Sequence, residues 1–318
     1  MELTPKEAAA LLRQQEDILI LTHCKPDGDT IGGAAGLCAA LRQLGKTAYL
    51  LRDPDIKEYV RPYAEPYWGP EGFVPKFVVS VDIAARSLFF PEAEKWLDKL
   101  DLAIDHHPSF EGFGRDQCVD ASCAACCEIV YDICCALGEI TQEVALPLYV
   151  GLTTDSGCYV YPSTSARTHR TAAALLDTGI DFYSVNKRHF RTKSRQQITL
   201  EAAVLSRIEF FHEGRGDFLV LSQSLMKELG INDEDIGGLA SLTTIVEGVD
   251  CGVYLREDEP GKWHISVRAE AGGRVDANKV CSLLGGGGHA AAAGARLTGT
   301  EEEVKAKILA AIDAVKRS

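Results

Sequence analysis

The sequence lacks the features of a membrane-bound or secreted protein. No run near 18 uninterrupted apolar residues, the length that spans a bilayer, occurs anywhere in it. The first residues have neither the basic nor the apolar region of a secretion signal; Thr4, Pro5 and Glu7 instead have the spacing of a helix start. We therefore expect a cytoplasmic protein that does not act at a membrane.

Basic side chains are also scarce. The 318 residues contain 33 lysines and arginines against 46 acidic residues, a formal net charge of -13. Such a surface would repel long duplex DNA and anionic membranes. The apolar share of 46% and the charged share of 25% are those of a globular protein rather than a disordered one. A nucleic-acid partner should therefore be short or bound locally.

The sequence lacks the second cysteine pair that a zinc site of matching spacing requires. The cysteines number eleven, and five of them share one predicted helix, Ser122 to Leu137: Cys123, Cys126, Cys127, Cys134 and Cys135. In a reducing compartment we expect them to be small core residues. A zinc or redox site on Cys123, Cys126 and Cys127 is the alternative, but no second pair with matching spacing follows.

Short apolar segments alternate with helical ones in the first part of the chain. Strands are predicted at 18–22, 47–51, 77–81 and 102–104, and helices at 34–44, 92–100 and 167–176. Apolar strands between helices indicate a parallel sheet that is buried on both faces. The predicted fold class is α/β, with a parallel-sheet N-terminal domain and a smaller mixed α/β C-terminal domain.

A cluster of basic residues marks the predicted boundary between the domains. It consists of Lys187, Arg188, Arg191, Lys193 and Arg195. We expect a first domain over 1–185, a connecting segment over 186–210 and a second domain over 211–318, since domains average about 150 residues. The second domain should contain strands at 218–221, 251–255 and 263–267, the last two as a hairpin, and a helix at 301–316.

Acidic and histidine residues follow four apolar segments, at the carboxyl ends where parallel sheets bind ligands. They are His23, Asp27 and Asp29; Asp82; Asp105, His106 and His107; and Asp155, after a segment ending at Leu152 that we also predict as a strand. Without cations these groups would repel and desolvate one another. The pattern predicts a two-metal centre, and its nitrogen and carboxylate ligands favour Mn(II), with Fe(II), Co(II) or Mg(II) as substitutes.

Each of these residues alone also has a purely structural explanation. Asp27-Gly28-Asp29 is ordinary turn chemistry, and a single aspartate after a strand usually caps a helix. Independent caps do not require three histidines, so the combination favours metal. Cys24 lies within the first motif, where we expect a buried neighbour rather than a ligand, because a thiolate would favour zinc.

Taken together, the motifs resemble those of the DHH phosphoesterase superfamily. His23-x-x-Pro26-Asp27-Gly28-Asp29 is similar to its first motif, Asp82 to its second, Asp105-His106-His107 to its third, and Asp155 to its fourth. The segment Gly286-Gly287-Gly288-His289 resembles the glycine-rich motif of the DHH-associated substrate-binding domain. The nearest subgroup is the stand-alone nanoRNase/pAp phosphatase type. One departure is Gly33, where the family commonly has serine.

The resemblance implies a role for each residue. His23, Asp27 and Asp82 would hold one Mn(II), and a second set, Asp29, Asp82, His106 and Asp155, would hold the other, with Asp82 bridging. His107 would face the substrate, and Asp105 would orient a ligand histidine. The two cations would activate a bridging water for hydrolysis of a phosphate ester.

The second domain is expected to recognise the rest of the substrate. The N–H groups of Gly286, Gly287 and Gly288 can meet a phosphate, and His289 adds a donor. Arg268 resembles the phosphate-binding arginine of the family. A flexible hinge or a helix C-cap is the alternative explanation of the glycine run.

The leading hypothesis is a Mn-dependent phosphodiesterase that removes mononucleotides from short oligoribonucleotides, including linear dinucleotides, and also dephosphorylates 3′-phosphoadenosine 5′-phosphate (pAp). A RecJ-like exonuclease is an alternative, but it would require an extended basic groove to bind long single strands. A pyrophosphatase or polyphosphatase shares the metal motifs but not the glycine-rich segment. A catalytically dead nucleotide-binding regulator should have lost a ligand. Dimerisation stays open.

Overall fold

The computed structural model describes residues 1–232, 236–270 and 272–315. The chain divides into two compact units, residues 1–192 and residues 193–318, called here the N-terminal and C-terminal units. The predicted domain limits at 185 and 211 stay a prediction. Within the described residues, no helix is long and apolar enough to cross a membrane.

The N-terminal unit is built on a parallel sheet. Its five strands are β1 (Ile18–Leu21), β2 (Ala48–Leu50), β3 (Phe77–Val81), β4 (Leu102–Asp105) and β5 (Asp116–Val119), in the order β2-β1-β3-β4-β5. Side chains of β1 alternate between two hydrophobic clusters: Ile18 and Ile20 belong to one, Leu19 and Leu21 to the other. Both faces of the sheet are therefore covered, which confirms the predicted α/β class.

Helices surround this sheet. They are α1 (Pro5–Arg13), α2 (Gly28–Gln43), α3 (Arg61–Ala64), α4 (Pro91–Glu94), α5 (Cys126–Leu137), α6 (Gln142–Asp155), α7 (Ala166–Asp177) and α8 (Phe182–Asn186). Thr4 and Glu7 form the predicted capping box of α1. Helices α2 and α6 approach closely, because a Cβ at Gly32 would lie only 2.3 Å from the carbonyl oxygen of Pro147. Glycine lets the two backbones meet here.

Four local predictions for this unit were wrong. The segment that ends at Leu152 is helix α6 rather than a strand, because a helix buried along most of its length is apolar all round and shows no helical period. The helix predicted over 92–100 is only α4 followed by a 3₁₀ turn, Leu97–Lys99. Helix α5 begins at Cys126, so Cys123 lies in the preceding loop, and Cys135 is exposed rather than in the core.

The C-terminal unit contains a mixed sheet. Its six strands are β6 (Glu209–Phe211), β7 (Gly216–Leu221), β8 (Cys251–Glu259), β9 (Lys262–Ala269), β10 (Gly287–Gly288) and β11 (Ala292–Thr298), in the order β10-β11-β9-β8-β7-β6. The pairing is antiparallel except between β7 and β8. The predicted hairpin is β8 and β9. This mixed unit also agrees with the predicted fold class.

The described residues of the same unit form four α-helices. They are α9 (Arg195–Leu205), α10 (Gln223–Leu229), α11 (Ala277–Leu283) and α12 (Glu301–Val315). Helix α9 occupies much of the predicted connecting segment 186–210. The predicted last helix extends to Lys316, which lies outside the described residues.

Candidate metal centre

The strand order brings the predicted motifs to one edge of the N-terminal sheet. Strands β1, β3 and β4 are neighbours, and their carboxyl ends carry the segments that begin at His23, Asp82 and Asp105. Asp155 comes from the last residue of α6, which packs against α2. Parallel strands present their carboxyl ends on the same side, so these side chains converge.

Asp27 has both a structural role and a place in the cluster. Its side chain caps α2, with Oδ1 accepting the backbone N–H groups of Asp29 at 3.0 Å and Thr30 at 3.3 Å. The same Oδ1 atom lies 3.6 Å from Nε2 of His23. The cap fixes the carboxylate while leaving it in contact with the site.

Asp82 lies at the centre of the cluster. Its Oδ1 atom is 3.5 Å from both Nε2 of His106 and Nδ1 of His107, and its Oδ2 atom is 3.9 Å from Nε2 of His23. The residue is buried, and Oδ1 makes no hydrogen bond. Its φ of 61° is left-handed, a costly conformation for aspartate that the surrounding structure must impose.

His106 joins a second group of carboxylates. Its Nε2 atom lies 3.4 Å from Oδ2 of Asp155 and 3.8 Å from Oδ2 of Asp29. Its Nδ1 atom lies 3.2 Å from the carbonyl oxygen of Cys123, which can only accept a hydrogen bond. Nδ1 therefore carries the proton, and in the neutral imidazole Nε2 presents a lone pair to the carboxylates.

His23 has the same arrangement. Its Nδ1 atom lies 2.9 Å from the carbonyl oxygen of Cys24, so Nε2 again faces Asp27 and Asp82. A lone pair 3.4 to 3.9 Å from carboxylate oxygens is repelled unless a cation or a proton lies between them. The donor set therefore fits divalent cations with nitrogen and oxygen ligands.

Among the described residues, three groups could each hold a cation, with ligand atoms that all lie within 4.8 Å of one another. The groups are Asp82, His106 and His107; His23, Asp27 and Asp82; and Asp29, His106 and Asp155. None contains a cysteine. Asp82 belongs to two groups, and so does His106. The six predicted ligands thus come together as one shared cluster.

The pKa values show how much repulsion the cluster contains. Burial and then the charge of Asp29 raise the pKa of Asp82 well above its usual range. The same two causes raise the pKa of Asp155 to about 8, although His106 opposes them. Burial lowers the pKa of His106, but the charges of Asp29 and Asp155, together with smaller contributions from the Cys123 carbonyl and Asp105, make the net shift upward. These carboxylates need added positive charge to be ionised together.

The backbone at the start of α5 holds Asp29. The N–H of Cys126 donates to Oδ2 at 2.6 Å and the N–H of Cys127 donates to Oδ1 at 3.0 Å. A Cβ at Gly151 would lie 2.9 Å from Oδ1 of Asp29 and 2.3 Å from Sγ of Cys127. The carboxylate is therefore enclosed by α5 and α6. Sequence reasoning did not find this role of the cysteine segment, because main-chain donors leave no residue signature.

Asp105 contacts His107 rather than His23 or His106, the two histidines predicted to be metal ligands. Its Oδ1 atom accepts the N–H of His107 at 2.6 Å and lies 2.9 Å from Nδ1 of the same residue. Asp105 therefore orients His107, the residue expected to face substrate. The carbonyl group of Cys123 orients His106 instead.

Asp53 and Tyr59 lie beside the cluster, and the sequence did not point to them. Asp53 follows β2 at the same sheet edge and is buried, and its Oδ2 atom makes no hydrogen bond. Burial raises the pKa of Tyr59 to about 12, with the charge of Asp27 adding to the shift. The rule that singled out Asp82 would also have found Asp53.

Gly33, the departure from the family pattern, is explained by packing. A Cβ at this position would lie 2.8 Å from Cγ1 of Val81, closer than ordinary van der Waals contact. A serine at position 33 would therefore crowd Val81, whereas glycine fits.

In the C-terminal unit, the glycine-rich segment forms a hairpin. Gly287 pairs with Gly294 across β10 and β11, and the N–H of His289 donates to the carbonyl oxygen of Ala292 at 2.7 Å. Ala292 is opposite Arg268 in the neighbouring strand. The sheet therefore places Arg268, on β9, close to the turn between β10 and β11 that contains the exposed His289.

Some of the N–H groups predicted to meet phosphate have internal acceptors. Gly286 donates to the carbonyl oxygen of Cys281 at 2.8 Å, and Gly288 donates to Oδ1 of Asn278 at 3.0 Å. A Cβ at Gly286 would lie 2.0 Å from the carbonyl oxygen of Gly294. Close strand pairing is thus one reason for these glycines.

Comparison with known proteins identifies the class. The DHH family, N-terminal domain, matches residues 17–152, and the DHHA1 domain matches residues 217–318. A bifunctional oligoribonuclease and PAP phosphatase NrnA from Thermus thermophilus is 34% identical over 312 residues, covering 96% of this chain and 92% of that protein. The chain belongs to the DHH family and is a phosphoric ester hydrolase, which confirms the resemblance predicted from the motifs.

More distant relatives share the same architecture. A probable NrnA from Streptococcus mutans is 25% identical, covering 91% of this chain and 92% of that protein. An exopolyphosphatase-related protein from Bacteroides fragilis has a TM-score of 0.88 at 22% identity, covering 98% and 96% of the two chains. RecJ from Thermus thermophilus, in complex with Mn2+, has a TM-score of 0.56 at 17% identity, covering 98% of this chain and 54% of that one. The structural likenesses show the fold.

Proposed function

We propose that this protein uses two divalent metal ions, Mn2+ in preference to Mg2+, Co2+ or Fe2+, to hydrolyse short oligoribonucleotides to mononucleotides and pAp to AMP. His23, Asp27 and Asp82 are the proposed ligands of one ion. The proposed ligands of the other are Asp29, Asp82, His106 and Asp155.

The observation that carries the proposal is the position of Asp82. Its buried Oδ1 atom makes no hydrogen bond, yet lies 3.5 Å from Nε2 of His106, while Oδ2 faces His23 on the other side. A carboxylate between two ligand groups is the arrangement expected of a bridging residue. A nucleotide-binding regulator without activity has no use for this complete ligand set.

The bound ions would supply a water of lowered pKa and neutralise phosphoryl charge. The protein's own residues supply orientation. Asp105 holds His107 by two contacts, so that the imidazole is available to bind the scissile phosphate or to protonate the leaving oxygen. The carbonyl groups of Cys24 and Cys123 hold His23 and His106 in the tautomer that presents Nε2.

The names of the relatives and the chain's own acidity support the substrate class. Curated relatives matched over more than nine tenths of this chain are named oligoribonuclease and PAP phosphatase. A net charge of -13 disfavours long nucleic acid, whose binding depends on many basic contacts. Short substrates require only local recognition. We assign that recognition to Arg268, Gly286, Gly287, Gly288 and His289 of the C-terminal unit.

A side-by-side assay tests this function. With Mn2+ added, the purified protein is given pAp, a 5′-phosphorylated RNA dinucleotide, an RNA 24-mer and pyrophosphate. We expect turnover of the dinucleotide and of pAp, with the 24-mer and pyrophosphate slower. An Asp82→Ala variant purified in parallel controls for contaminating nucleases. Preference for the 24-mer would favour a RecJ-like exonuclease, and preference for pyrophosphate would favour a pyrophosphatase; either would overturn the proposal.

A further inference from the structure

The loop between β5 and α5, residues 120–125, contacts a proposed metal ligand, His106, on the side of its ring away from the proposed ion. The carbonyl oxygen of Cys123 faces Nδ1 of His106 at 3.2 Å. Directly after the loop, the N–H of Cys126 donates to Oδ2 of Asp29 at 2.6 Å. Both contacts are made by main-chain atoms. The orientation of two ligands therefore depends on how well this loop is held in place.

Arg167, near the start of α7, holds the loop and α5 together. Its Nη1 atom lies 2.9 Å from Oδ2 of Asp120 at the start of the loop. Its Nη2 atom lies 2.7 Å from Oδ2 of Asp132, and its Nε atom lies 3.4 Å from Oε2 of Glu128; both acids are on α5. One guanidinium thus connects both ends of the segment that supports the ligands.

Glu128 makes this connection costly to lose. The residue is fully buried, and Oε1 accepts a hydrogen bond from Oγ1 of Thr168 at 2.6 Å. Oε2 makes no hydrogen bond, so Arg167 is the cation that compensates its charge. A buried carboxylate left without its cation destabilises its surroundings far more than a surface charge does.

Asp120 connects Arg167 to the rest of the loop. Its Oδ1 atom accepts from the backbone N–H of Ser122 at 3.0 Å, and Oδ2 accepts from the thiol of Cys123 at 3.3 Å. Its own N–H donates to the carbonyl oxygen of Asp105 at 3.1 Å. The loop is therefore tied to Arg167 on one side and to the end of β4 on the other.

We propose that Arg167 is a positioning residue of the metal centre. It acts through the loop and α5, holding the carbonyl group of Cys123 and the N–H of Cys126 where they orient His106 and Asp29. The inference rests on the proposed metal-dependent function. Because His106 and Asp29 belong to only one of the two proposed ion sites, loss of Arg167 should weaken that site selectively.

The test is a titration of the metal-free protein with Mn2+ by isothermal calorimetry. Wild type should bind two equivalents. Arg167→Gln should bind one equivalent about 10- to 100-fold more weakly, the usual effect of removing an outer-shell partner, and retain the other. Arg167→Lys should recover part of the loss. Melting temperatures of the metal-free proteins show whether each variant folds.

Arg115→Gln is the matched control. Arg115 also bridges two aspartates, with Nη1 at 2.8 Å from Asp101 and Nε at 3.1 Å from Asp116. These lie at the amino ends of β4 and β5, the edge opposite the candidate centre. We expect this variant to lose stability without a change in Mn2+ affinity. If both variants weaken binding equally, the effect is general destabilisation and the inference is wrong.

Two other outcomes separate the inference from the proposed function. A wild-type protein that binds no Mn2+ overturns the proposed function itself. Normal binding by wild type and by Arg167→Gln overturns the inference alone. Should Arg167→Gln not fold, Asp120→Asn replaces it, since this change weakens the contacts of Asp120 at the loop and leaves those of Arg167 to α5 in place. Unchanged Mn2+ affinity in Asp120→Asn would equally contradict the positioning role.

Discussion

Oδ1 of Asp105 accepts the backbone N–H of His107 at 2.6 Å and lies 2.9 Å from its ring Nδ1. The two contacts fix both the main chain and the imidazole of His107. Its neighbour His106 is held by the main-chain carbonyl of Cys123 and faces three carboxylates instead. Adjacent histidines are therefore held in different ways, which suggests different tasks.

The first prediction separates these two histidines. His107→Ala should retain Mn2+ but lose about 10²- to 10⁴-fold in turnover, the range for removal of a general acid or base. His106→Ala should lose metal as well as rate, because its Nε2 atom is a proposed ligand. Metal content by mass spectrometry, measured together with kcat, decides the matter. Equal metal loss in both variants would show that the roles of the pair are assigned wrongly.

The second prediction concerns Asp82. Asp82→Ala should abolish turnover and lower metal content at both sites, because a bridging carboxylate serves two cations at once. The exposed Asp98, changed to Ala, is the control and should behave as wild type. Metal analysis after dialysis provides the measurement. Undiminished Mn2+ with full activity in Asp82→Ala is incompatible with a two-metal centre.

The third prediction concerns Arg268 and His289 in the C-terminal unit. A charge-assisted hydrogen bond contributes about 1.5 to 3 kcal/mol, so Arg268→Ala and His289→Ala should each lose one to two orders of magnitude on an RNA dinucleotide. Both variants should retain Mn2+. Both should also keep the slow activity on bis-p-nitrophenyl phosphate, because this ester has no nucleotide for the C-terminal unit to recognise.

The exposed Arg296 on β11 provides the control, since Arg296→Ala should leave both activities unchanged. The decisive quantity is the ratio of kcat/KM on the dinucleotide to that on the ester. If this ratio stays at its wild-type value in both Arg268→Ala and His289→Ala, the C-terminal unit does not recognise the nucleotide.

The fourth prediction concerns Asp217, which is fully buried in β7. Among the described residues, its Oδ1 atom makes no hydrogen bond, and Oδ2 accepts only a long one from the N–H of Thr244 at 3.4 Å. Burial raises its pKa from 3.8 to about 6. The folded state therefore binds this proton more tightly than the unfolded state, and ionisation costs stability as the pH rises from about 4 through 6.

Asp217→Asn carries no charge at any of these pH values. Relative to wild type, its free energy of unfolding should rise by about 1 to 3 kcal/mol between pH 4 and pH 7. Urea unfolding of both proteins at the two pH values measures this difference. A difference that does not change with pH would mean that Asp217 is not the buried acid described here.

Much of the candidate ligand set was predictable because each motif is local. An apolar strand followed by His23, Asp27 and Asp29 is readable without tertiary contacts, since strand and loop signals lie within a few residues. Asp155 was singled out as a candidate ligand even though its segment was wrongly predicted as a strand. A buried helix and a buried strand have equally apolar sequences, and only the packing of α6 against α2 distinguishes them.

The sequence by itself determined which residue types follow which strands, and hence the parallel sheet, the family and the six candidate ligands. Only the tertiary structure decided which side chains contact one another. It placed Asp82 between His23 and His106, paired Asp105 with His107, and brought Arg167 to the loop behind the site. Strand ends are set by local apolar patterns, whereas side-chain partners depend on long-range packing between elements far apart in the chain, which no local pattern encodes.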